Sequence, residues 1–200
     1  MRLKKIGVFS SMALTVGGFV LLASQSAAFA DGDHSGHFST SGTSYTVPMD
    51  VDGDGPAQSS ISTYTGKGSC GQFIGQGVSE FKAHPGTGCK VAPTTQAGCV
   101  LNGVSNACEY DSEGGVSANT YQGTKDVQTF KRLSGSICID FGGGAPYNTD
   151  GTVVDAITGG TGRFAHSSGS ITTHVWGQIL SMDSAGNGFS WYRAEGTMSK

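Results

Sequence analysis

Ser136-Ile137-Cys138-Ile139-Asp140-Phe141 is the stretch that decides the fold. Ile137, Ile139 and Phe141 alternate with Cys138 and Asp140, and a period of two marks a β-strand with one buried face. The pattern recurs on both sides. Within 169–180, Ile171, Thr173 and Val175 oppose Thr172, His174 and Trp176; within 188–196, Phe189, Trp191 and Arg193 oppose Tyr192. Weaker alternation covers 37–47, 60–66, 72–81, 127–133 and 151–158. Gly75 and Gly77 predict a bulge or sharp bend in the third of these strands. No window after residue 30 joins helical periodicity to capping residues. The reading is an all-β domain of roughly seven to nine strands, closed as a barrel or packed as a sandwich.

Residues 1–30 read as a secretory signal peptide. Arg2, Lys4 and Lys5 form a basic start, 6–23 carries no charge, and Ala28-Phe29-Ala30 offers a small-x-small cleavage site. Ser10, Ser11, Thr15, Gly17 and Gly18 dilute the apolar run below the roughly 20 residues that a membrane-spanning helix needs. Residues 31–200 are then one exported domain, periplasmic or extracellular, with no integral membrane segment after processing. The whole chain has 12 basic and 15 acidic residues, and the leader carries three of the basic ones. What remains is 9 basic against 15 acidic, a net charge of −6. No cluster of Lys or Arg follows Lys5, which argues against nucleic acid as a partner. The 33 glycines are interleaved with Val, Ile, Phe, Tyr and Trp, a mixture that disordered chains lack.

Cys70, Cys89, Cys99, Cys108 and Cys138 all follow the leader, so an oxidising compartment makes each a disulfide candidate, with connectivity left open. Residues 84–115 lose periodicity and hold three of the cysteines, Pro85 and Pro93. They read as a Cys-rich loop insertion.

Ala156-Ile157-Thr158-Gly159-Gly160-Thr161-Gly162-Arg163-Phe164-Ala165, followed by Gly169-Ser170-Ile171, resembles the allene oxide cyclase and dirigent superfamily, and most of all its secreted bacterial members of unassigned function. Val51-Asp52-Gly53-Asp54-Gly55-Pro56-Ala57 and Gly135-Ser136-Ile137-Cys138-Ile139-Asp140 fit as well, and the likeness fails across the Cys-rich segment. The resemblance implies an antiparallel eight-stranded barrel with an apolar interior, in which plant relatives cyclise a fatty-acid epoxide or steer radical coupling. Their acid, asparagine and tyrosine catalytic positions are not placed on this chain, so no catalytic residue is carried over, and fold analogy does not establish activity.

Asp50, Asp52 and Asp54, with Gly55, match the first half of a calcium loop. The twelfth position is Ile61 in place of the bidentate Glu, so the competing reading is a solvated Asp/Gly turn. No cofactor is required, although calcium fits that loop. His174, Trp176 and Trp191 are candidate ligand-binding residues if their strand faces point inward. Gly-x-Ser-x-Gly is absent, and no catalytic residue is assigned. Two functions follow. The first is a non-enzymatic exported barrel that binds a small apolar ligand or serves an envelope or extracellular role; the alternative is an isomerase or cyclase acting on an apolar molecule in the cavity. The discriminator is direction. Interior His174, Trp176 and Asp140 would favour chemistry, whereas Ile137, Ile139, Phe141, Ile171 and Val175 packed without a void would weigh against it. Alternation alone does not choose the face, and oligomeric state is left open.

Overall fold

A computed structural model describes residues 36–49, 59–83, 107–140, 145–180 and 187–200. Eight strands follow one another: β1 (Gly36–Met49), β2 (Ser59–Gly68), β3 (Gly71–Ala83), β4 (Ala107–Tyr121), β5 (Val127–Asp140), β6 (Tyr147–Gly160), β7 (Ser168–Ile179) and β8 (Gly188–Ser199). Each pairs antiparallel with the next, and β8 pairs back onto β1, so the sheet closes into an up-and-down barrel without free edges. The expected all-β class and eight-strand closure are both present.

Closure forces every strand to point one set of alternate side chains inward. The interior is fitted by placing large residues opposite glycines. Tyr64 on β2 lies across from Gly75 on β3, and Tyr192 on β8 lies across from Gly42 on β1. A Cβ at Gly75 would overlap the Tyr64 ring. Gly75 and Gly77 therefore do not bend β3, contrary to the sequence reading: pairing runs through both in register, and Gly75 makes room for an aromatic ring.

The bulges lie elsewhere. Glu80 and Phe81 of β3 face Gly114 and Ser112, leaving Glu113 of β4 as the extra residue. Arg132 and Ser134 of β5 face Asp155 and Val154, leaving Leu133 extra and 60% exposed. Each bulge switches the inward parity of its strand. That is how Ser112 and Ser117, and likewise Arg132 and Ile137, all reach the interior. β4 also corrects the sequence reading, because 107–115, assigned to the Cys-rich insertion, is strand; its Asp111-Ser112-Glu113-Gly114-Gly115 run hides the periodicity.

One end of the barrel is plugged. A single 3₁₀ turn, Gly162–Phe164, follows β6 and carries Phe164 into full burial. Gly162 sits at φ +56°, and a Cβ there would run into Asp126. Arg163 uses the same turn to clamp the end, donating from a guanidinium NH2 to the Cys70 carbonyl (2.7 Å) and pairing with Asp126 (3.3 Å). Phe164 stacks on Tyr121 (4.8 Å between centroids), and the contact continues through Phe73 (5.5 Å) to Tyr64 (6.3 Å). Gln128 is fully buried beside them, accepting from the Tyr121 hydroxyl (2.8 Å) and reaching Met198 Sδ (3.4 Å).

Candidate functional site

Beyond this plug the barrel is hollow. A cavity of about 260 Å³ occupies its interior, and its wall has two chemically distinct halves. On β5, β6 and β7 the inward residues are aliphatic: Ile137, Ile139, Val153, Ile171, Val175 and Ile179. On β1, β2, β3 and β8 hydroxyls are frequent, with Ser44, Thr46, Ser60, Ser62, Ser79 and Ser190 inward, although Phe73 and Phe81 of β3 and Ala194 of β8 share that wall. The aliphatic faces of β5 and β7 do point inward, but they leave a void, so neither arm of the sequence-based discriminator is met in full. Phe141 lies outside the described residues.

A polar cluster crosses the aliphatic half. Arg132 and Asp155 are direct cross-strand partners, with Nε 2.6 Å from Oδ1 and side chains only 14% and 12% exposed. The second arm of the guanidinium donates to Ser112 Oγ (3.1 Å), the hydroxyl that the β4 bulge turns inward. Tyr64 stands nearby with its hydroxyl bonded to Ser117. Burial pushes the Tyr64 phenol up to about 12, opposed by the Ser117 bond and assisted by the Asp155 charge. Burial likewise raises Tyr192, whose hydroxyl donates to the Thr65 carbonyl (3.2 Å), and Tyr121. These phenols are neutral hydrogen-bonding groups at physiological pH.

Asn119 completes the inner end of the cavity. It is 95% buried, at 5% exposure. Its side chain supports the Tyr121 hydroxyl in the sense that lowers that phenol's pKa, so the amide NH2 donates to tyrosine. The Oδ1 atom is then an acceptor with no partner. A buried amide oxygen left unmatched costs roughly 1–3 kcal/mol.

The residues expected to bind a ligand lie on the other side of the wall. His174, Trp176 and Trp191 point outward, with Trp176 38% and Trp191 45% exposed. Trp176 and Trp191 face each other across β7 and β8, His174 stacks on Trp176 (5.1 Å) and contacts Asp150 (3.0 Å). They form a surface aromatic group and line no part of the cavity. The reason is register: Ile171 and Val175 take the interior, which forces His174 and Trp176 out. Arg132, Asp155, Tyr64 and Asn119 went unremarked in sequence. Arg132 stands beside Lys131 on a strand of mixed polarity, and the bulge at Leu133 conceals which way it points.

Asp50, Asp52, Asp54, Cys89 and Cys99 lie outside the described residues, as does the leader. Cys108 is described in its backbone alone, within β4. Cys138 is fully buried. Cys70 is a buried free thiol whose pKa is raised by that burial. Among the described residues no three His, Cys, Asp or Glu side chains gather as a metal site.

No family model, curated protein or solved structure matches this chain. Function therefore has to be argued from the cavity.

Proposed function

We propose that this protein is an exported, non-enzymatic β-barrel that carries or sequesters a small, predominantly apolar molecule inside the barrel. The observation that supports it is the cavity itself, walled on three adjacent strands by aliphatic side chains. Natural cores close-pack, whereas this barrel keeps an internal cavity of about 260 Å³ whose apolar lining a resident molecule would cover. Polar groups few in number and fixed in place are the usual complement of such a pocket. The basic leader and Ala28-Phe29-Ala30 support export to a periplasm or beyond. The allene oxide cyclase and dirigent likeness is consistent with an eight-stranded barrel of this kind, and stays a proposed relationship.

The alternative, an isomerase or cyclase on an apolar substrate, draws on the Arg132–Asp155 pair with Tyr64 inside an otherwise aliphatic wall. Against it, Asp155 is tied to arginine and Tyr64 holds its proton to about pH 12, so among the described residues no free general base faces the cavity.

The test is titration of the full-length protein with an environment-sensitive apolar fluorophore. Saturable binding that Ser190→Phe abolishes supports an internal site, because Ser190 faces the cavity. Binding unaffected by that change but lost on replacing Trp176 and Trp191 would move the site to the outer surface and overturn the reading.

A further inference from the structure

The cavity's charge and hydrogen-bonding pattern specify the kind of molecule it takes. Resting on the internal-ligand reading, we infer that the occupant is a neutral amphiphile with a hydroxyl head, and that the Arg132–Asp155 pair receives the head and excludes ionised carboxylates.

Three observations carry this. First, Arg132 and Asp155 are the only charged side chains lining the cavity among the described residues, and they neutralise each other at 2.6 Å. A carboxylate entering here would be desolvated without an uncompensated cation to receive it, and it would meet the Asp155 charge. Second, the pair offers a donor and an acceptor side by side, the complement of a single hydroxyl, which can accept from guanidinium while donating to carboxylate. Third, the wall facing the aliphatic strands is lined by Ser44, Thr46, Ser60, Ser62, Ser79 and Ser190, and it holds no Lys, Glu or His among the described residues. That wall suits further hydroxyls along one edge of a ligand, and to an anion it offers hydroxyl donors but no countercharge. The unpartnered Oδ1 of Asn119 is a further acceptor at the inner end, again fitted to a donor and not to an anion. A cavity of about 260 Å³ lies near the lower end of the roughly 300–1,000 Å³ usual for small-molecule sites.

The experiment is calorimetric titration of the full-length protein at pH 8 with decan-1-ol, the equally long ether 1-methoxynonane, and decanoate. These are matched in length and differ in whether the head donates, only accepts, or is charged. Wild type is expected to bind the alcohol about tenfold more tightly than the ether, the value of one charge-assisted hydrogen bond, and to bind decanoate most weakly. Asp155→Asn frees the Arg132 cation, so decanoate should gain at least about tenfold and overtake the alcohol. The neutral double variant Arg132→Gln/Asp155→Asn should show no such gain. Equal affinity for alcohol and ether in wild type overturns the inference without any variant needing to fold. An Asp155→Asn protein that folds yet keeps the wild-type order overturns it too. In both cases binding persists, so the internal-ligand reading stands; absence of binding by all three probes removes that reading and this one together.

Discussion

Arg132→Met is the perturbation that probes the interior most sharply. It keeps an apolar stem and removes the guanidinium, leaving Asp155 with neither its 2.6 Å partner nor, among the described residues, any other cation lining the cavity. Breaking a buried ion pair by deleting one partner costs about 3–5 kcal/mol, chiefly the burden of the stranded charge. Both side chains keep a little exposure, 14% and 12%, so the lower end, about 3 kcal/mol, applies. Loss of the Ser112 bond is included in that figure. For a domain of this size each kcal/mol moves the melting temperature by roughly 2–4 °C, giving a drop of about 6–12 °C. Arg132→Met/Asp155→Leu removes both charges and should return to within about 1 kcal/mol of wild type, since a well-packed apolar pair can replace a buried ion pair at little cost. Urea denaturation followed by circular dichroism measures all three proteins. A single variant that loses less than about 1 kcal/mol, or a double variant no more stable than the single, would refute the placement of these charges in a desolvated interior.

Further outcomes follow from other parts of the barrel. Phe164→Ala should destabilise by about 3–5 kcal/mol, because the ring is fully buried and stacked on Tyr121, and a loss below about 1 kcal/mol by denaturation would show that the plug is dispensable. Stability should fall steeply in alkali. Tyr64, Tyr121 and Tyr192 have folded pKa values raised above the unfolded 10.0, so the unfolded chain releases these protons first. Stability is complete below pH 10 and declines from there through about 12 by roughly 1.4 kcal/mol per pH unit for each tyrosine. Tyr64→Phe should reduce that slope by about a third, and a slope unchanged by the substitution would exclude a buried phenol. Replacing Trp176 and Trp191 by Ala should leave binding of decan-1-ol within about twofold of wild type, because both residues face outward; a larger loss in calorimetry would return the site to the surface.

The strand pattern was legible because burial on one face imposes a period of two, and 169–180 and 188–196 carry it with few interruptions. What the pattern could not supply was direction: Ile171 and His174 are equally compatible with either face until the barrel closes. The candidate site was illegible for a related reason. Single extra residues at Glu113 and Leu133 reverse parity within β4 and β5, so a fixed alternation puts Arg132 and Ile137 on opposite faces when both in fact line the cavity. β4 was the least visible strand, since Asp111 to Gly115 reads as a turn while pairing as a bulged ladder. The glycine signal at 75 was read in kind but not in cause: it marks close approach, with Tyr64 filling the space a side chain would take.

The most direct measurement is native mass spectrometry of the protein purified from its own host, repeated after denaturation, alongside Ser190→Phe prepared identically. A discrete organic mass that accompanies the folded wild type, leaves on denaturation and is missing from Ser190→Phe is the expected result, and its composition should include a neutral hydroxyl-bearing skeleton. Identical folded and denatured masses for wild type, with no uptake of decan-1-ol when it is added, would contradict a ligand-holding barrel.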